Sequence, residues 1–252
     1  SVYVWRDFLF ESNFGLQRNY RQEWSQYVSH GFMPANFPDS LNFNADLERE
    51  YEKYIYSENL KVSYQMNDKS NFIIGLNSDF QDNRIGGRGF IIPAFKQITV
   101  GGFAFVKHGI SKKSIIQTGL RYDYGNINTH DYFDWYSSPI IINSDTTLQN
   151  LKRADGINRS FGNISWSIGY NYNPKRWSFK ANFGKSFRMP IAKELATNGV
   201  NYHHFSYEVG NSKLSPEISY QLDLGVEFSS AKFAVGATPF VNYFSNYIFL
   251  NP

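Results

Sequence analysis

The run Tyr202-His203-His204-Phe205 carries the most suggestive chemistry in the chain. Imidazole is a good ligand for iron and for zinc. Adjacent histidines in an extended segment point to opposite faces, so one of His203 and His204, not both, suits a shared ligand. The simpler home for such a pair is a solvated loop. A second cluster, Thr-His-Asp-Tyr-Phe-Asp-Trp-Tyr at 129–136, contains His130, Tyr132, Trp135 and Tyr136. Aromatic faces with a few polar groups fit a bulky, planar molecule. Arg84 and Arg88, in Asn-Arg-Ile-Gly-Gly-Arg-Gly, are suited to steering and holding an anion by bidentate bonds. The glycine spacing there does not match a phosphate-binding loop, and no helix follows. No nucleophile elbow or catalytic constellation emerges, so the reading is not an enzyme, and the metal, if any, is unknown.

The elements that position these residues come from composition and period. The chain has 252 residues, 25 basic and 22 acidic side chains, net charge +3 and no cysteine. With neither a basic arm nor an acidic tail, there is no electrostatic case for nucleic acid. Absent cysteines exclude disulfide scaffolds and thiolate zinc sites. The 18 Tyr and 23 Phe, with 19 Gly, favour a β-protein. A negative mean hydropathy ordinarily suggests solubility. A transmembrane barrel escapes that rule because its strands are apolar on one side only.

Alternation of period 2 dominates. Ile164, Trp166, Ile168, Tyr170 and Tyr172 oppose Ser165, Ser167, Gly169 and Asn171. Trp177, Phe179, Ala181 and Phe183 oppose Ser178, Lys180, Asn182 and Gly184. Tyr220, Leu222, Leu224, Val226 and Phe228 oppose Ser219, Gln221, Asp223, Gly225 and Glu227. Similar segments recur near 8–20, 60–66, 72–80, 100–106 and 116–124. Arg6 and Lys185 break the pattern with a charge on the apolar side, as strand ends or bulges allow. Residues 46–53 read as the solvated outer part of a long strand. The charge-free run 233–252 is long enough for a membrane helix, but its Pro239, Asn242 and β-formers argue for strand.

Tight turns at 67–69, 109–112, 173–175 and 229–230 alternate with long connections at 21–42, 82–94, 129–158 and 189–214. If successive strands pair antiparallel, every tight turn lies at one end of the sheet and every long loop at the other. Tyr64, Phe72, Tyr170, Tyr172, Trp177, Phe228 and Phe233 gather beside the tight turns, as an interfacial girdle would. A soluble sandwich alternates too, but its loops do not sort by length. The expected fold is therefore all-β: an antiparallel up-and-down transmembrane β-barrel, of which about nine strands are visible. Both ends look cut, so residues 1–252 are read as one partial barrel domain.

From 181 onward the chain resembles the TonB-dependent receptor family of bacterial outer-membrane importers. The string is Phe187-Arg188-Met189-Pro190, Lys193-Glu194-Leu195, Asn198-Gly199, Tyr207-Glu208, Gly210-Asn211, Leu214 and Pro216-Glu217. Gly119-Leu120-Arg121-Tyr122-Asp123 and Ile92-Pro93-Ala94-Phe95 add to the likeness, which covers about 60–250. It implies a 22-stranded barrel around an N-terminal plug, pulled by an energised TonB system. No plug is matched here, so this would be a middle section of the barrel. It also implies outer-membrane lipid as surroundings and a small-molecule metal chelate as ligand, a ferric siderophore first, with a possible surface lipoprotein as partner. Haem or zinc uptake, or a passive porin-like barrel, are the alternatives. No intrinsic cofactor is implied; iron or haem would arrive with the ligand. Haem-importing relatives place a histidine in the interval holding His203 and His204, but here Met189 stands where they usually have Ala.

Physics expects the motif to be scaffold more than ligand contact. Pro190 lacks a ladder donor and stops the strand. Gly199 and Gly210 would allow turns of positive φ. Arg188 would pair with a carboxylate such as Glu194 or Glu208.

Overall fold

The computed structural model describes residues 1–142, 145–201 and 206–251. In chain order the elements begin with β1 (Val2–Trp5), β2 (Phe8–Trp24), β3 (Leu47–Asn67), β4 (Ser70–Gly86), β5 (Phe95–Ser111) and β6 (Ser114–Thr129). Next come β7 (Tyr132–Ile142), β8 (Asp145–Ala154), β9 (Asn158–Tyr172), β10 (Trp177–Arg188) and α1 (Ala192–Ala196). Last are β11 (Asn198–Asn201), β12 (Ser206–Val209), β13 (Glu217–Ser229), β14 (Ala234–Ala237) and β15 (Phe240–Asn246).

A single antiparallel sheet runs β1-β2-β3-β4-β5-β6-β9-β10-β13, and β14 and β15 both pair with the far side of β13. Those two are successive pieces of one strand, interrupted at Thr238-Pro239, where Pro239 offers its carbonyl to Leu224 N–H at 3.0 Å but has no N–H to return. The strands of this run lie within 234–246, and no described part of it is helical. The wall has ten positions, one more than the alternation suggested. The extra one is β1, folded back on β2 by a turn in which Arg6 takes φ 53°. The charge at Arg6 therefore sits in a turn and not on the apolar face. The sheet stays open, with β1 at one end and β14 and β15 at the other.

Tight turns and long connections alternate as expected. The strands are joined by two to four residues at 6–7, 68–69, 112–113, 173–176 and 230–233, and by long loops at 25–46, 87–94, 130–157 and 189–216. The turn anticipated at 109–112 lies slightly later, because the β5–β6 ladder continues to Ser111↔Ser114 past an irregularity. Two long loops are themselves structured: β7 and β8 make one hairpin, and β11 and β12 another. β3 has 21 residues, about twice the ~10 that cross a bilayer, so its first half stands clear of the membrane.

The two faces of the sheet differ in what they touch. On one face Phe95, Ile127 and Phe161 are buried under Ala192, Leu195 and Ala196 of α1, with Met189, Ile157 and Leu214 beside them. On the other, Leu60, Ile74, Leu76, Leu120, Ile164, Ile168, Leu222 and Leu224 remain exposed with no protein layer over them. Register places such apolar residues across from one another, as in Leu60↔Leu76, Val62↔Ile74 and Leu120↔Trp166. A continuous exposed apolar face on a ten-strand wall is what hydrocarbon would solvate. Its lower margin is aromatic: Phe8 stacks on Tyr64 (4.5 Å), Tyr172 on Phe179 (6.3 Å), and Trp177 meets Phe228 (4.9 Å). Lys185, the second exception, is the last β10 residue paired to β9; its Nζ donates to Asn163 Oδ1 at 2.8 Å where those strands part.

Replacing Ile168 by Arg is expected to cost about 2–4 kcal/mol of stability in a bilayer. Gln117→Arg, on the opposite face, is expected to cost little. Denaturant unfolding from lipid vesicles checks both, and equal costs would reject the assignment of faces.

Candidate functional site

The long loops all lie at one end of the wall and close over its inner face. The segment after β10 is held by a carboxylate acting twice. Glu194 accepts two bonds from Arg188 Nη1, at 2.9 and 3.0 Å, and its Oε2 accepts the Ile191 N–H at 2.9 Å, securing the first turn of α1. Arg188 also reaches Glu217 Oε2 at 3.4 Å, tying the end of β10 to the start of β13. Those contacts hold the Arg188 guanidinium above its usual pKa. Pro190 and Leu195 are fully buried. Glu208, expected as an alternative partner of Arg188, instead pairs with Lys193 Nζ at 2.8 Å, because the β11–β12 hairpin brings it against α1. Asn211 N–H donates to Glu194 O, and its Oδ1 accepts Lys213 N–H, both close to 2.9 Å. Leu214 joins the apolar cluster.

The two motif glycines serve a different purpose from the one anticipated. Neither is among the positive-φ residues, Gly31 and Gly87 being the glycines that are. A Cβ on Gly210 would fall 2.7 Å from the backbone of Leu195 and Ala196, and one on Gly199 would clash with Phe90 O. Both are needed for close approach of backbones, not for turn conformation. In the wall at Gly125 the neighbour is a side chain, and a Cβ there would occupy the space of the Met189 sulfur.

The remaining loops are cross-linked through aromatic rings and arginines. Trp135 packs against Phe37 (5.4 Å) and Tyr136 (5.1 Å), with Tyr27 at 6.4 Å, and its Nε1 donates to Arg88 O at 3.0 Å. Phe37 also meets Tyr27 and Phe43 edge-on. Tyr132 stacks on Phe90, ring centres 4.0 Å apart. Burial there pushes the Tyr132 phenol up to about 12, and burial also raises the nearby Asp134 carboxyl. Arg88 Nη2 donates to Ser25 O (3.1 Å), Gln26 O (3.3 Å) and Ser25 Oγ, joining the first two long loops. His130 is exposed, and its backbone N–H bonds Ala94 O.

Arg84 does not belong to this assembly. It shares the outward parity of Phe72, Ile74 and Leu76, lies opposite Glu52, and pairs with Asp82 at 3.2 Å. Its guanidinium and that of Arg18 each lie 5.8 Å from the Tyr54 ring. Arg84 therefore decorates the outer wall above the apolar band and faces away from the mouth. Tyr202, His203 and His204 lie outside the described residues. Among the described residues, no group of three or more His, Asp or Glu side chains could hold a metal ion.

Several linking residues gave no signal in the sequence. Arg153 pairs with Asp134 (3.4 Å) and reaches Asn198 O and Tyr207 Oη. Arg159, over the Phe161 ring, donates to Ser212 O and Leu214 O. Buried Arg49 bonds Glu23 and Val200 O. Apart from the Phe161 ring, each partner lies 19 or more residues away, beyond the reach of any local spacing.

A membrane-type wall with short turns at one end and a packed loop layer at the other matches one family model, described as TonB dependent receptor-like, beta-barrel, over residues 3–252. The chain belongs to this family. TonB-dependent receptor barrels reside in the bacterial outer membrane, and so does this one. Solved structures share its fold at low identity. The hemophore receptor HasR of Serratia marcescens, in complex with its hemophore HasA and heme, has TM-score 0.59 and 14% identity, over 96% of this chain and 41% of that one. The FrpB iron transporter of Neisseria meningitidis has TM-score 0.62 and 13% identity, over 94% and 33%. The ferric yersiniabactin uptake receptor FyuA of Yersinia pestis has TM-score 0.58 and 10% identity, over 96% and 34%. The chain thus spans about a third to two-fifths of those receptors. No curated protein matches it by sequence.

Leu195→Ala is expected to cost about 2–5 kcal/mol locally, since the side chain is fully buried. Limited proteolysis within 189–216 should then accelerate while the wall stays resistant. Gly210→Ala should do the same by backbone clash; unchanged cleavage in both would refute the packing described.

Proposed function

We propose that the chain is one section of a larger TonB-dependent receptor barrel that captures a ferric siderophore at its outer mouth. A plug domain, further strands and the energised TonB system would complete the receptor, and a surface lipoprotein is a possible further partner in this reading. The observation that carries it is the meeting of three long loops in one aromatic layer, with Tyr27 and Phe37 from the first, Phe90 from the second and Tyr132, Trp135 and Tyr136 from the third, to which Arg153 ties the fourth. Aromatic faces bordered by a few polar groups suit a large planar chelate. Nanomolar capture requires about 12 kcal/mol of binding free energy, which several loops acting together can supply and a single strand cannot. Tight capture also hinders release, which favours an energised import step over a passive pore.

FrpB and FyuA, which share the fold, are described as an iron transporter and a ferric yersiniabactin uptake receptor. Haem is the second reading, favoured by the likeness to HasR and by the imidazoles of His203 and His204. The work proposed is binding and translocation, with no covalent chemistry on the ligand.

A strain lacking the gene is expected to lose growth under iron limitation with one ferric siderophore as iron source, and to recover when the intact gene is returned. Trp135→Ala in that gene should weaken uptake about tenfold or more, as loss of a central aromatic anchor does. Normal growth of the deletion strain on every iron, haem and zinc source would reject the proposal.

A further inference from the structure

All four long loops contribute to one small cavity of about 110 Å³ under the loop layer. His30 and Met33 come from the first loop, Arg88 and Phe90 from the second, Asp134 and Arg153 from the third, and Val200 from the fourth, with Glu48 and Arg49 of β3 at its side. Three guanidiniums and an imidazole thus meet two carboxylates around a space of a few heavy atoms.

The known contacts leave that positive lining only partly matched. Asp134 takes Arg153 at 3.4 Å. Glu48 lies 3.7 Å from Arg49, which also pairs with Glu23 outside the cavity. Among the described residues Arg88 forms no ion pair: its Nη2 is spent on carbonyls and the Ser25 hydroxyl, which itself donates to Glu48, its guanidinium lies 5.8 Å from the Tyr27 ring, and its Nε is buried without an acceptor. A buried donor without an acceptor costs free energy, and the half-buried Arg88 guanidinium adds a charge that no carboxylate touches directly. Water in the cavity would satisfy the donor but leave the charge. An oxyanion would satisfy both, because guanidinium N–H groups match the spacing of carboxylate and phosphate oxygens.

We propose that this cavity binds a compact oxyanion, which cross-links the four loops through Arg88 and its neighbouring guanidiniums. The site differs from the aromatic layer proposed to meet the chelate: its lining is charged and its volume excludes anything larger than one anionic group. Anion binding would therefore stiffen the loop layer whatever the receptor imports. The group is either a free anion of phosphate size or the carboxylate end of a larger ligand.

Calorimetric titration of the full-length receptor in detergent, in buffer free of other oxyanions, tests the site with inorganic phosphate and with acetate. Binding is expected, tighter for phosphate if the anion is free and tighter for acetate if it is a carboxylate end. Arg88→Gln should weaken it about tenfold or more, the loss expected for a charge-assisted bond. Because Arg88 also holds the 25–46 loop, Met33→Trp is the second variant; it fills the cavity without touching those bonds and should abolish binding. Arg84→Gln, on the outer wall, should leave it unchanged. No binding of either anion, or wild-type affinity in Arg88→Gln or Met33→Trp, overturns the proposal; the growth phenotype on ferric siderophore is unaffected by that result and is judged separately.

Discussion

In hydrocarbon, a backbone N–H or C=O has no partner except another backbone group. That constraint governs the arrangement of this chain. It requires the spanning segments to pair edge to edge, and β2 through β6 do so over ladders of 14 or more register pairs. Once the ladder is satisfied, side chains alone decide orientation. One parity carries Leu60, Ile74, Leu76, Leu120, Ile168 and Leu222 toward lipid, and the other faces the lumen. A slip of one residue would exchange the two faces, so the alternation that defines the strands also fixes their register.

Outside the membrane the constraint relaxes, and a different set of interactions takes over. The loops are long enough to satisfy their backbone with water. They are ordered instead by packing on the inner wall and by arginines that reach between loops. Phe95, Ile127 and Phe161 project from the upper lumen face and need cover; α1 provides it, clamped through Glu194. Glycines at 125, 199 and 210 allow the layers to approach, since a Cβ at any of them would meet atoms closer than 3 Å. The family motif thus works as architecture: it turns a strand end back over the mouth and holds the turn there.

Function follows from the combination. A rigid wall carries a layer of loops whose rings and guanidiniums come from four distant parts of the chain. Trp135 joins the 25–46 and 87–94 loops to β7, and Arg153 joins β8 to the segment after α1. In such a layer, disturbing one loop disturbs its neighbours.

The period-2 pattern predicts the antiparallel wall and its two faces, the lengths of the connections predict their sorting, and the aromatics beside the tight turns predict the girdle, because each is set by residues near in sequence. Glu194, six residues from Arg188, was one of the two partners legible for it. What sequence could not resolve involved distance. Arg84 and Arg88 look alike in one glycine-rich segment, yet strand parity sends the first to the outer wall, while contacts with Ser25 hold the second in the loop layer. The roles of Gly199 and Gly210 depend on which backbone lies opposite, and Glu208 chose Lys193 because a hairpin placed it there. Alternation is a local property of a chain beside hydrocarbon; the company each loop residue keeps is decided only when tertiary folding brings remote segments into contact.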